Sequence, residues 1–454
     1  MKLKENRWLL ISIVIGSFFN SFMSSSLNIA MPEIDIEYGI GVDKVAWITK
    51  SFLLASAIGL LLSGWLADNF GRRKIFLIGN IVFGVISLLI IFLKNFYLLV
   101  IFRFFQGLGS SMIMASAPAL IASAFDTNKR GFVLGIQTTF TYVGLLLAPL
   151  LGGILTQYFG WKSLFLFNFF FTILALVIIT FGVKSEWKNE EKINFDFYGY
   201  SLFVLVVIGI VLALEWLNWN SLIALAISFL FGYGFIIYEL QHPQPFISIQ
   251  FIRNNKFFTH SILAALINYA TTFAISYILS IYFQNVRGMK PVQAGVVLSF
   301  QPLMMALFSA FFGHLSDKHN PGKIASYGMA IISGSLLLIG LLINETIPIF
   351  ILAILLAILG FGFALFSSPN TNAVMSSVNK NAYGFASAFL AFSRLFGQFI
   401  SMALASSLIL LVNTRNMEIL HFSSIVLSTK IIFIIFAILS AYGVHLSLQR
   451  IKKN

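Results

Sequence analysis

Gly64-Trp65-Leu66-Ala67-Asp68-Asn69-Phe70-Gly71-Arg72-Arg73-Lys74 is a short charged stretch set between two long apolar runs. Charge this dense between two membrane-length segments predicts a tight hairpin held at one face of a bilayer. A degenerate copy, Gly313-His314-Leu315-Ser316-Asp317-Lys318-His319-Asn320-Pro321-Gly322-Lys323, stands in the second half of the chain. One hairpin used twice implies two related halves.

The rest of the chain agrees with that reading. Of its 454 residues, 59% are hydrophobic and 10% charged, whereas soluble domains carry about 25% charged residues. With a mean hydropathy of +0.92, no water-facing surface can be assembled, so the expected partner is a lipid bilayer. About 20 apolar residues carry a helix across the hydrocarbon layer, and that ruler gives fourteen spans, from 8–31 to 427–447. The first run follows Lys2, Lys4 and Arg7 but is longer than the 7–15 apolar residues of a signal peptide, and is read as a retained helix.

The net charge of +13 reports topology. Most of the lysines and arginines fall at the chain ends and on the even-numbered connections, as the positive-inside bias requires. Both termini are therefore expected in the cytoplasm, the membrane is expected to be the plasma membrane, and no nucleic-acid partner is implied. The chain has no cysteine and six scattered histidines, so no disulfide, thiolate site or His-x-x-x-His metal pair is available. With no phosphate-binding glycine loop, nucleophile motif or His/Asp cluster, neither an enzyme nor a cofactor is expected.

Internal repetition organises the spans. Gly107-Leu108-Gly109 recurs as Gly360-Phe361-Gly362, and Gly131-Phe132 with Gly144 as Gly384-Phe385 with Gly397, each at an offset of 253. The charged turns are offset by 249, Asp68 against Asp317. The predicted fold is all-α integral membrane, with two pseudo-symmetric six-helix bundles (1–183 and 259–454). Two inserted helices and their hydrophilic connections occupy 184–258. Such repeats, with a site at their interface near mid-membrane, mark secondary transporters.

At these residues the chain resembles the major facilitator superfamily, in particular its fourteen-helix drug:H+ antiporter branch. The turn matches that family's Gly-x-Leu-x-Asp-x-x-Gly-Arg-Arg-Lys loop through Gly64, Asp68, Gly71, Arg72 and Arg73. Leu99-x-x-x-Arg103-x-x-Gln106-Gly107-x-Gly109 is similar to its fourth-helix motif. Gly144-x-x-x-Ala148-Pro149-x-x-Gly152-Gly153 is similar to the fifth-helix antiporter motif, with alanine where glycine is usual. Asn28-Ile29-Ala30-Met31-Pro32 resembles the end of the first-helix motif. The resemblance implies export of amphipathic drugs or toxic compounds by alternating access and proton antiport. The alternative is a uniporter, or a specific exporter of a neutral or anionic metabolite or lipid-like molecule. A monomer is the expected working unit.

Each motif also has a reading of its own. Asp68 can accept from Arg72 or Arg73, and a set of bonds that forms and breaks would bias a rocking equilibrium. Gly64 would let another helix approach. A plain cytoplasmic turn is the other reading. Arg103 and Arg394 lie within spans, where an ionisable group is functional by default unless it merely pairs with backbone carbonyls. Small residues at Gly144, Ala148, Gly152 and Gly153 suit close helix packing. Most of the 50 phenylalanines are lipid-facing or filler, so the candidate cavity residues are Asn28, Gln106, Asn268, Gln301, Asn370, Asn372 and Gln398.

One departure matters. The antiporter branch usually has an aspartate five residues before the first-helix asparagine, and here that position is Met23. No Asp or Glu lies deep in any other span. Coupling would have to run through Asp68, Glu33, Asp35 or a histidine such as His260, and neutral, zwitterionic or anionic substrates are easier to hold than permanent cations.

Overall fold

A computed structural model of the chain describes residues 2–188, 194–215, 219–243, 247–378, 383–413 and 422–450. Fourteen of its helices are long and apolar enough to cross a membrane. They are α1 (Glu5–Tyr38), α2 (Trp47–Phe70), α3 (Arg72–Ile91), α4 (Phe96–Ala124), α5 (Val133–Phe159), α6 (Lys162–Gly182) and α7 (Phe197–Glu215). The remainder are α8 (Trp219–Gln241), α9 (Lys256–Val286), α10 (Pro291–Lys318), α11 (Pro321–Leu342), α12 (Ile349–Ser376), α13 (Phe385–Val412) and α14 (Phe422–Gln449).

Local chemistry sets the ends. Gly71 separates α2 from α3 with φ of 116°, a conformation side-chain-bearing residues avoid. The Asn95 side chain accepts from the N–H groups of Tyr97 and Leu98 to start α4. Asn320 does the same for Lys323 N–H, with Pro321 pre-shaped for the first turn of α11.

The first six helices pack chiefly on one another, through α1 with α5 and α6, α2 with α4, and α3 with α4 and α6. The last six repeat the scheme, through α9 with α13 and α14, α10 with α12, and α11 with α12 and α14. The repeated glycines are where these helices meet. A Cβ on Gly107 would fall on the carbonyl oxygen of Phe52, and one on Gly360 on that of Gln301. Gly109 lies against Gly79 as Gly362 lies against Gly328, and Gly144 and Gly397 would each place a Cβ 2.5 Å from a carbonyl, of Phe18 and Leu266. Equal offsets in sequence have become equal contacts in space.

Three helix pairs join the halves, α2 with α13, α5 with α10 and α1 with α9. The α7–α8 pair packs on itself and leans on α13, with Phe203 and Phe392 rings edge to face at 5.0 Å. Both α9 and α10 are interrupted at mid-length, near Phe273 and Ser299. The Ala274 N–H donates to Ser401 Oγ at 3.0 Å, so the donor freed at this break finds a partner within the apolar layer. The helices alternate in direction. One end of the assembly, here the turn end, carries Gly71, Asn320, the start of α1 and the end of α14, and the other is the far end.

Candidate functional site

The two helix breaks mark the place where the halves part. A cavity of about 90 Å³ lies there at mid-span, lined by residues of both halves that include Ser25, Pro149, Tyr269, Gln301, Met305 and Gln398. A water molecule's share of liquid volume is about 30 Å³, so the space admits a small group and is contracted relative to a site for a drug-sized molecule. Among the described residues, no acidic or basic side chain lines it.

The far end above this cavity is sealed. Asn28 Nδ2 donates to Ser276 Oγ at 2.9 Å, and Gln284 Nε2 donates to the Ile29 carbonyl at 2.8 Å. A Cβ on Gly153 would meet the Pro291 carbonyl, and one on Gly295 the Pro149 carbonyl, so α5 and α10 touch backbone to backbone. Lys50 of α2 is fully buried, 2.6 Å from the Glu215 carboxylate of α7 and 3.1 Å from Ser406 Oγ of α13. Its ammonium also lies 4.7 Å from the centre of the Trp47 ring. On the turn side of the cavity, among the described residues, the hydrogen bonds between the halves converge on Tyr142, whose hydroxyl meets Ser367 Oγ at 3.3 Å and also Ser309. The closure is one-sided.

Of the seven polar residues expected in the cavity, Gln301 and Gln398 line it, and Asn28 serves the far-end seal. The other four are elsewhere. Gln106 is buried inside the first half, accepting from Arg103 and donating to Ser87 Oγ. Asn370 accepts from Arg450 at 2.6 Å, and Asn372 donates to Ser316 and Asp317. Asn268 is buried away from the cavity lining, and neither side-chain atom has a partner among the described residues.

Arg103 is likewise within one half. Its Nε donates to the Ile48 carbonyl at 3.0 Å, and its guanidinium stacks 4.3 Å over the Phe52 ring. Gln106 extends the network to Ser87, which Asn168 also reaches. No carboxylate takes part. Arg394 differs, because it lies on α13 one turn from Gln398, donates to Thr371 Oγ1 at 2.5 Å and sits 5.7 Å from the Tyr269 ring.

Two further buried cations escaped the sequence reading. Lys50 sits so near the start of α2 that it reads as a loop charge, although Trp47 one turn earlier marks the same face. Arg450 reads as part of a basic tail. It is 3% exposed and donates to Ser261, Asn370, Gly322 and Ser447, tying together α9, α11, α12 and the end of α14.

At the turn, Asp68 accepts from Arg72 through Nη2 at 2.7 Å and Nε at 3.0 Å, and Arg72 also donates to Ser123. Arg73 reaches the Ile179 carbonyl, and among the described residues the basic partner of Asp68 is Arg72. The Glu186 carboxylate accepts from the N–H groups of Arg73 and Lys74, which offsets three cations at a helix N-terminus. Among the described residues, no other helix comes within 4 Å of where a Cβ on Gly64 would stand, so the close approach expected there is not made by them. Along α5, Gly144 and Gly152 face α1, whereas Gly153 turns toward Pro291 of α10. Pro149 lies between them within the helix and lines the cavity.

A family model, the Major Facilitator Superfamily, matches residues 13–402. The chain is 30% identical over 392 residues to the riboflavin transporter RibZ of Clostridioides difficile, covering 85% of each chain. It is 27% identical over 414 residues to the multidrug resistance protein Stp of Mycobacterium tuberculosis, covering 88% of this chain and 75% of that one. A likeness of 26% over 402 residues extends to the multidrug transporter protein MdtP of Bacillus subtilis, covering 87% and 74%. Among solved structures, a peptide transporter POT in complex with sulfate superposes with a TM-score of 0.72 at 14% identity, over 97% of this chain and 94% of that one.

Proposed function

The chain belongs to the Major Facilitator Superfamily as a multi-pass secondary transporter and not an enzyme, and we propose that it exports amphipathic compounds by alternating access. The observation that carries this reading is the one-sided closure. A mid-span cavity between two repeats is sealed at one end by several contacts and crossed at the other by Tyr142, through Ser367 and Ser309. Residues 1–183 and 259–454 rock as two bodies about that cavity, with 184–258 carrying the inserted helices. The turn end, with both termini, faces the cytoplasm, so the conformation described loads from inside the cell. Asp68–Arg72 and its neighbours at the turn bias the rocking, and α5, packed on α1 and α10, is the hinge along which the halves meet.

Protons are the proposed counter-ion, by resemblance to the antiporter branch and to relatives that carry multidrug resistance. A second reading, a transporter of one metabolite, is favoured by the identity to the riboflavin transporter and by a cavity that offers no carboxylate to a permanent cation. Everted vesicles with an imposed pH gradient separate the two readings. Gradient-driven uptake of several unrelated dyes, abolished when the gradient is collapsed, supports drug:proton antiport. Uptake of riboflavin alone, insensitive to the gradient, establishes the second reading and removes the first.

A further inference from the structure

Arg103, Arg394 and Arg450 are buried or half-buried in the apolar layer or at its edge with no carboxylate partner among the described residues, and they do not stand in equivalent places. Arg103 is held inside the first half by Ile48 and Gln106, and Arg450 is satisfied by five hydrogen bonds inside the second. Arg394 alone of the three adjoins the cavity between the halves. Among the described residues the ion pairs are Lys50–Glu215, Arg72–Asp68 and Lys162–Glu37, and none involves Arg394. Its Nη2 donates to Thr371, while its Nε is buried with no partner among those residues.

Depth places it on the route to the cavity. Arg394 donates to Thr371 of α12, one turn from Ser367, whose hydroxyl bonds Tyr142. They form one layer. Gln398, in the cavity wall, is about one turn deeper. The Tyr142 hydroxyl bonds to Ser367 and lies within electrostatic reach of Arg394 and Tyr269. Above this layer the wall is aromatic, with Tyr269 and Phe363 rings edge to face at 5.3 Å and Phe273 beside them.

An uncompensated cation in this setting costs several kcal/mol, and a counter-anion of the right shape removes that cost. A guanidinium clasps carboxylate or phosphate oxygens through paired N–H donors, and a free Nε supplies one of them. We propose that Arg394 anchors the anionic group of an amphipathic aromatic anion, whose apolar body fills the widened cavity against Tyr269, Phe273 and Phe363. This rests on reading the cavity as the transport site, and it makes Arg394 the residue that selects anions over cations.

The test is calorimetric binding to purified protein, with coumarin-3-carboxylate and its uncharged carboxamide as probes. Wild-type protein is expected to bind the carboxylate about tenfold more tightly or better, the scale of one charge-assisted hydrogen bond. Arg394→Gln is expected to erase that preference while changing carboxamide binding less than about twofold, and Arg394→Lys to keep part of it. No carboxylate preference in wild-type protein, including no binding of either probe, overturns the proposal. So does an equal loss of both probes in Arg394→Gln, which would make the side chain a brace for Thr371 and Tyr269. Because binding is read without flux, protein that prefers the carboxylate but moves nothing would sink the transport reading and leave this one standing.

Discussion

The two turns at the ends of α2 and α10 are copies of one another in sequence and are held by different chemistry. In the first half Asp68 is clasped by Arg72, and Glu186 caps α3 from a neighbouring connection. In the second half Asp317 accepts from Asn372, and Asn320 caps α11. The cation that braces this region is Arg450, arriving from α14. The glycine crossings of the same two halves, by contrast, are matched contact for contact. A backbone carbonyl against a glycine leaves no room for change, whereas a polar group needs only some partner. The consequence is mechanical. The Asp68–Arg72 pair is partly exposed and free to exchange with water, and Arg450 is buried and committed. The first turn is therefore the adjustable one.

The largest effect expected falls on the committed side. Arg450→Ala leaves buried acceptors on four elements unsatisfied, and a loss of about 3 kcal/mol or more is expected, seen as a steep fall in Tm and expression. If it were as mild as a change at Asp68, the contrast between the halves would fail. Gly107→Ala and Gly360→Ala come next, each forcing a Cβ onto a carbonyl, with matched losses of about 1–3 kcal/mol. Unequal losses would break the packing symmetry. Arg103→Ala removes the Ile48 and Gln106 bonds and is expected to cost about 2 kcal/mol in thermal stability together with most transport, while Arg103→Lys keeps part of both. Wild-type-like behaviour of the alanine variant would make the network dispensable. Smallest in stability is Asp68→Asn, because an exposed pair one turn apart contributes only about 0.3–0.5 kcal/mol. Its transport rate should nevertheless fall severalfold, and Asp317→Asn should lower the rate less. Equal rates in the two variants would return the gating role to neither turn.

Much of this was legible in the sequence, for identifiable reasons. Span number follows from length and hydropathy, which any packing must respect. The repeated glycines were legible because small residues at helix crossings have few alternatives. Which face of an apolar helix meets which neighbour was not, since helices that are apolar all round carry little periodic signal. Gln106 was misplaced for that reason, although its spacing of three from Arg103 puts both side chains on one face and already points to a local pair. Asn370 gave no such clue, because its partner Arg450 is 80 residues away and looks like a solvated tail. Lys50 and Glu215 each sit near a span end, and only the fold brings them to 2.6 Å.

The central claim is that the far-end seal must open for transport to occur. The chain lacks cysteine, so thiols placed by Asn28→Cys and Ser276→Cys, at the 2.9 Å contact between α1 and α9, are the sole targets for a short thiol cross-linker. With that pair cross-linked, transport in vesicles should stop, binding from the turn side should persist, and cleavage of the link should restore movement, while each single variant stays active. Undiminished transport by fully cross-linked protein would contradict alternating access through this cavity.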